Sequence, residues 1–394
     1  MIKKTHMGTS VVWAGEEEYR MQGPTQVPVV HSVSFGYQDL DEWLQVALGQ
    51  KEGHIYSRNT NPTVQVFEEK VRYIEDAEAA TSAATGMGII SSTLFTLLSP
   101  EDRVVSVKDT YGGTSVIFSE FLPRFRVKAT LCDTTDHEGI ETEVSKGCKV
   151  LYLESPTNPT TKVIDIARLS KAAHAVGAIV VVDNTFATPI NQNPIHLGAD
   201  LVVHSATKFL GGHADALGGV VCGEKDLVDQ IYHYREINGA TMHPMAAYLI
   251  LRGMKTLDLR IQRQNESALR IAQYLEAHSA IELVHYPGLP SHAGHQIAQK
   301  QMLGFGGMMS FMLKENNLEA VSRFIPRLRF AHAAANLGSV ETIVGPPATT
   351  SHVECTQEER AKLGIPEGLI RYSTGIENVE DLISDLKHAL DIFV

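Results

Sequence analysis

The chain has 394 residues, 43% of them apolar, and a formal net charge of −12. That length allows one large and one smaller domain with a sizeable core, and the acidic balance argues against nucleic acid or anionic membrane as a partner. Four cysteines, Cys132, Cys148, Cys222 and Cys355, lie far apart with no CxxC pair, so neither a disulfide framework nor a zinc site is expected and a reducing cytoplasm is the natural compartment.

The opening Met1-Ile2-Lys3-Lys4-Thr5-His6 is basic, but Gly15-Glu16-Glu17-Glu18 interrupts any apolar run behind it, so no secretory signal is expected. The longest apolar runs are strand-sized, which predicts no transmembrane helix. Residues 1–60 hold short apolar pieces, Pro24, Pro28 and the aromatics Phe35, Tyr37 and Trp43; they look poorly suited to a core and read as an extended arm packing on a second subunit. From 61 to 245 the pattern alternates between helix and strand. Helices are predicted over 63–74, started by Asn61-Pro62, and over 86–98. Strands are predicted over 103–107, 127–132, 150–153, 179–183, 201–204 and 219–222. Helical segments intervene, one over 165–176 with Asp165 as cap and Gly177 as stop. Such alternation predicts an α/β fold, a mostly parallel sheet with helices on both faces. Residues 246–394 read as a smaller C-terminal α+β domain. Around and within it come a long helical stretch over 244–277, an apolar piece at 281–286, strands at 307–313 and 369–373, and helices at 318–325 and 378–393.

Ser205-Ala206-Thr207-Lys208 follows the apolar run Leu201-Val202-Val203. A lysine just past a strand end can condense with an aldehyde, and the neighbouring hydroxyls can hold a phosphate of the same molecule. Pyridoxal 5'-phosphate (PLP) carries both groups; a surface lysine at a strand terminus is the plain alternative. A second apolar run, Ala178 to Val182, ends in Asp183. Ligands of open α/β sheets sit at such carboxyl ends, and an aspartate there can pair with a protonated pyridine nitrogen, though it could equally start the turn before Pro189. Gly86-Met87 opens a helix whose free N–H groups suit phosphate, though a glycine there can be only a turn.

Asp183-Asn184-Thr185-Phe186 and Ser205-Ala206-Thr207-Lys208 resemble motifs of the Cys/Met-metabolism PLP-dependent enzymes, the family of cystathionine γ-synthase, cystathionine γ-lyase, methionine γ-lyase and O-acylhomoserine sulfhydrylases. The resemblance runs in order through Tyr56-Ser57-Arg58-Asn59, Ala84-Thr85-Gly86-Met87, Tyr111-Gly112-Gly113-Thr114, Glu154-Ser155-Pro156-Thr157-Asn158-Pro159 and Leu369 to Glu377. It implies the type I PLP-dependent transferase fold, a homotetramer with shared active sites, and a small amino-acid substrate. It further implies Lys208 as covalent anchor and base, Asp183 at the ring nitrogen, and Tyr111 stacked on the ring and moving protons. Asn158 would bond the phenolic oxygen, with Gly86, Met87, Ser205 and Thr207 at the phosphate. Tyr56 and Arg58 would reach the phosphate of a neighbouring subunit, Tyr56 also touching its substrate, while Arg371 and Asn336 would address the substrate.

The implied reaction is γ-elimination or γ-replacement on a homoserine- or cystathionine-like amino acid, canavanine included. Sulfhydrylase and cystathionine β-lyase activities, an inactive PLP-binding protein, and a cofactor-free aldolase using Lys208 stand as alternatives. Tyr111-Gly112-Gly113-Thr114 has glycine where methionine γ-lyases typically carry cysteine, which disfavours methionine. Ala335-Asn336-Leu337-Gly338 departs from the common Glu-Ser-Leu-Gly, with Asn336 resembling the sulfhydrylase branch. Among seventeen histidines, His204, His213, His285, His292 and His295 show no metal-ligand spacing, and His292 and His295 are expected to face solvent.

Overall fold

The computed structural model describes residues 5–17, 23–353 and 356–394. The basic start at Met1 to Lys4, Glu18 and Cys355 lie outside the described residues.

A seven-stranded sheet carries the first part of the chain: β1 (Ala79–Ala83), β2 (Arg103–Val107), β3 (Lys128–Cys132), β4 (Val150–Glu154), β5 (Ile179–Asp183), β6 (Leu201–Ser205) and β7 (Gly219–Gly223). Their order is β1-β7-β6-β5-β4-β2-β3. Strands β2 to β6 pair in parallel, while β7 runs antiparallel to both β6 and β1. The sheet is covered on both faces, which is why its central strands read as unbroken apolar runs. Val180 and Val182 of β5 join a core that takes in Val64, Phe67 and Val71 of helix Pro62–Glu75 and Ile166 and Leu169 of helix Ile166–His174. Val181 points the other way, into a core with Ile89, Ile90 and Leu94 of helix Gly86–Leu97. This is the expected α/β architecture.

A second sheet holds β8 (Ile281–His285), β9 (Met308–Leu313), β10 (His332–Ala333), β11 (Ile343–Gly345) and β12 (Leu369–Ser373), in the order β10-β11-β12-β9-β8. Ile271 and Leu275 of helix Leu257–Glu276, with Leu382, Leu386 and Leu390 of helix Val379–Leu390, pack with Phe311 and Ile370 of this sheet. Among the described residues no helix is long and apolar enough to cross a membrane.

Among the described residues of the first sixty, those around 7–16 pack on this chain's own core. Helix Met7–Trp13 packs on helices Pro62–Glu75 and Leu257–Glu276, and Val11 is buried. Lys70, itself buried, donates to the Val11 and Val12 carbonyls at 3.1 Å and pairs with Glu16 at 3.0 Å; Lys255 pairs with the same Glu16 at 2.7 Å. Polar groups that look like solvated surface in the sequence thus bury together because their charges compensate. Helix Leu40–Ala47, by contrast, leaves Leu40, Trp43 and Leu44 exposed.

The long helix expected over 244–277 is two helices, Pro244–Met254 and Leu257–Glu276, broken at Lys255-Thr256. The buried Arg260 side chain donates to the carbonyls of Phe209, Leu210 and Gly253 at this corner, so tertiary hydrogen bonds replace helical continuity. A β-carbon on Gly253 would run into the Gly211 carbonyl oxygen. On an open helix surface Gly→Ala stabilises by about 1 kcal/mol. Gly253→Ala is expected to destabilise instead, by a net ~1 kcal/mol, because overpacking of about 1–3 kcal/mol outweighs the propensity gain. A shift of the urea midpoint to lower concentration measures it.

Candidate functional site

A cavity of about 250 Å³ opens where β4, β5 and β6 end, lined there by Glu154, Asp183 and Ser205. Parallel strands deliver their last residues side by side: Glu154 lies opposite Asp183 in register, and the Thr185 hydroxyl takes the Ser205 N–H at 2.9 Å. Beyond β6 the chain turns, and Lys208 enters the cavity with its N–H on the Ser205 carbonyl at 3.1 Å. Its ammonium donates to Asn336 Oδ1 at 2.7 Å. Burial, then the Arg371 charge, pushes the Lys208 amine down to about 8.

Asp183 is 6% exposed and accepts from two neutral donors, the Thr185 N–H at 3.0 Å and the Tyr152 O–H at 3.5 Å. Burial raises its pKa against those hydrogen bonds. Glu154 is also buried; its pKa is pushed well up, first by burial and then by the Asp183 charge. Two buried acids side by side make a place where a cationic ring nitrogen is favoured. Arg371, on β12, is buried and donates to two neutral oxygens, Asn158 Oδ1 at 3.1 Å and the Asn336 carbonyl at 3.2 Å. Burial lowers it to about 10, and a carboxylate is the natural partner for its charge.

The cavity also takes in the N-terminus of helix Gly86–Leu97. Thr85 caps it by accepting the Gly88 N–H at 2.9 Å. Gly86 lets the helix close on β6, since a β-carbon there would sit 2.7 Å from Ser205 Cβ. The cavity therefore offers helix N–H groups and the Ser205 and Thr207 hydroxyls, a setting for an anion. An anion seat, a lysine amine and buried acids lining one cavity fit the phosphate, aldehyde and pyridine nitrogen of PLP.

Of the residues singled out in the sequence, Gly86, Met87, Tyr111 and Asn158 line the cavity with Asp183, Ser205, Thr207, Lys208 and Arg371. Asn336 borders it through Lys208 and Arg371. Tyr56 and Arg58 do not join it: both are exposed, with the Arg58 guanidinium 5.1 Å from the centre of the Tyr56 ring. Their expected place is in a neighbouring subunit. Sequence reasoning missed Glu154 and Thr185 as site residues, and also Ser351, whose hydroxyl pairs with the buried His352 at 3.0 Å. Glu154 had a signal: it closes one apolar strand as Asp183 closes the next. Ser351 had none, because it sits in a loop without periodicity. The histidines expected to face solvent are half-buried; burial pushes His292 down to about 4, and His295 donates to the Pro287 carbonyl at 2.8 Å.

The Cys/Met metabolism PLP-dependent enzyme family model matches residues 8–391. The chain is 41% identical over 392 residues to an L-methionine gamma-lyase of Fusobacterium nucleatum subsp. polymorphum, covering 99% of each. It is 40% identical over 387 residues to the chloroplastic cystathionine gamma-synthase 1 of Arabidopsis thaliana, covering 98% of this chain and 69% of the relative. The crystal structure of cystathionine gamma synthase from Xanthomonas oryzae pv. oryzae, in complex with aminoacrylate and cysteine, superposes with a TM-score of 0.93 at 36% identity, covering 99% of this chain and 98% of that one. Pyridoxal phosphate is the cofactor that this family membership implies.

Only the neutral amine of Lys208 can attack an aldehyde. With the amine depressed to about 8, the rate at which apoprotein captures PLP is expected to rise with pH up to about 8 and level off above it. An ordinary lysine would keep gaining up to about 10.4. Absorbance-monitored reconstitution across pH values on both sides of 8 measures the profile.

Proposed function

The chain belongs to the Cys/Met-metabolism PLP-dependent enzyme family, and from that premise we propose that it eliminates or replaces the γ substituent of a homoserine- or cystathionine-like L-amino acid. The observation that carries this reading is the single cavity in which Lys208, Asp183, Glu154 and Arg371 meet. When bound, PLP supplies an electron sink that makes the protons on Cα, and then on Cβ, of an attached amino acid removable. The chain's own side chains do the rest.

Lys208 anchors the cofactor and, once its amine is free, takes the Cα proton. An amine with a pKa of about 8 is a base matched to neutral pH. The Asn336 amide oxygen, 2.7 Å away, holds that amine in place. Arg371 takes the substrate's α-carboxylate and so fixes which way Cα faces. Asp183 stabilises positive charge at the ring nitrogen, and Asn158 bonds the phenolic oxygen. Gly86, Met87, Ser205 and Thr207 hold the phosphate. Tyr111 covers the ring and gives a proton to the departing γ group. Tyr56 and Arg58 complete the phosphate site of a neighbouring subunit, and Tyr56 reaches its substrate. The working assembly is then a homotetramer of paired subunits in the cytoplasm, with 61–245 as the cofactor domain and 246–394 as the substrate side.

Elimination consumes one water and releases the γ group, ammonia and a 2-oxo acid; replacement exchanges the γ group for a thiol. Relatives of both kinds lie at nearly equal identity. A β-carbon on Gly113 would sit 3.0 Å from Met87 Sδ and 3.1 Å from Tyr111 Cε1, so this position borders Tyr111. With no side chain there, the wall beside the leaving group is wider than a cysteine would make it. That favours γ substituents other than the methyl thioether of methionine, canavanine included. Asn336 supports a second reading, an O-acylhomoserine sulfhydrylase.

Lys208→Ala is expected to keep the fold and lose turnover by on the order of a thousandfold or more; wild-type turnover would refute the assigned role. A panel of cystathionine, O-acetylhomoserine, O-succinylhomoserine, methionine and canavanine, with and without cysteine or sulfide, tests the reaction. 2-Oxobutyrate or a new thioether is expected, and pyruvate from cystathionine would establish the β-lyase instead.

A further inference from the structure

Glu154 lies beside Asp183 in the cavity, but in the chemistry above it moves no proton and holds no substrate group. One of its carboxylate oxygens accepts the backbone N–H of Tyr111 at 2.8 Å, and the other accepts the backbone N–H of Asn158 at 3.0 Å. These amides belong to different segments. Tyr111 follows β2 and precedes the short helix Gly112–Val116; Asn158 lies in the loop after β4. We propose that Glu154 is a positioning residue, whose carboxylate clamps these two backbones so that the Tyr111 ring and the Asn158 amide face the cofactor together. The inference rests on the proposed PLP site.

The clamp reaches further through Asn158, whose Oδ1 accepts from Arg371 at 3.1 Å. Backbone placement at 158 therefore sets the orientation of the proposed substrate arginine too. Tyr111 is 43% exposed, so its ring is not held by burial; the Glu154 bond fixes the backbone from which that ring projects. Further ties lie two residues earlier, where Asp109 pairs with Lys162 at 3.0 Å and takes the Thr134 hydroxyl, and in the following helix, where the Thr114 and Ser115 N–H groups donate to the Tyr111 carbonyl. Only a carboxylate fits the arrangement. An amide offers one oxygen and one NH₂, so a glutamine would set a donor against one of the two N–H groups.

The test is Glu154→Gln, an isosteric change, with three readouts: melting of the apoprotein, PLP affinity by titration, and visible circular dichroism at saturating PLP. The expected result is unchanged melting, PLP binding roughly tenfold weaker, matching one lost hydrogen bond, and a reduced visible band as the ring contact loosens. Wild-type affinity and wild-type dichroism would overturn the proposal. So would a lowered melting temperature with both cofactor readouts intact, the mark of mere support for the fold. If the glutamine variant does not fold, Glu154→Asp takes its place: it keeps the charge, is too short to reach both amides, and is judged by the same readouts. If wild-type protein itself yields no borohydride-fixable band with PLP, the underlying site reading fails; wild-type binding with an unaltered variant sinks the clamp alone.

Discussion

Burial of charge that the chain alone leaves uncompensated is the constraint on which this structure turns. Lys208 and Arg371 bring positive charge into one cavity, and Asp183 and Glu154 bring acids, yet none of the four is neutralised by a close opposite partner there. Lys208 donates to an amide oxygen, Arg371 to an amide and a carbonyl oxygen, and Asp183 accepts from neutral donors. Desolvating a charge costs several kcal/mol unless it is compensated. The cost appears as shifted proton affinities, down for the two bases and up for the two acids. A ligand with a cationic ring nitrogen and a carboxylate relieves it, so the same imbalance that strains the free protein favours a loaded one.

The fold creates this situation through strand ends. Parallel pairing of β4, β5 and β6 sets their carboxyl ends in one row, so consecutive strands offer Glu154, Asp183 and Ser205 to one space. The apolar strand bodies make the row dry, since both faces of the sheet are covered. The second sheet contributes Arg371 on β12, flanked by Ile370 and Tyr372 of a separate core, and the loop at Asn336 brings its amide oxygen to Lys208. A site assembled from two cores needs fixed points between them. The Asn158 to Arg371 bond is one, and the Ser310 hydroxyl on the Pro159 carbonyl at 2.7 Å is another.

Strong periodicity made the large sheet legible in the sequence. The apolar runs of β2, β4, β5 and β6 were found within a residue or two, and so was helix Pro62–Glu75, whose cap Asn61 accepts the Thr63 N–H as its sequence suggested. Strand β1 was not foreseen, because Ala-Ala-Thr-Ser-Ala carries no apolar signal and owes its extension to pairing with β7. β10 and β11 are too short to register as pattern. The break at Lys255-Thr256 was invisible for another reason: contacts from distant residues, Arg260 on Phe209 and Lys255 on Glu16, decide it. In the site, Lys208 and Asp183 could be read because a polar group ending an apolar strand is conspicuous. Glu154 carries the same mark, but Pro156 and Pro159 close behind it make the segment read as a turn.

Chemistry and selectivity then occupy separate pieces of chain on the proposed reading. The groups that would hold the cofactor and move protons sit at strand ends, in the short segments just past them, or at the helix start by Gly86. The positions expected to depart from the family pattern, Gly113 and Asn336, lie outside the strands: Gly113 in the short helix after Tyr111, where it borders Tyr111 and Met87, and Asn336 where its amide oxygen takes the Lys208 ammonium. A change at Gly113 alters the wall beside Tyr111 without touching a strand; a change at Asn336 alters what the Lys208 amine rests on when it is free. Positions outside the sheet tolerate such exchange where few of its core contacts depend on them. The rigid sheet can therefore keep one way of loosening Cα and Cβ protons, while residues outside it select which γ group is placed to leave.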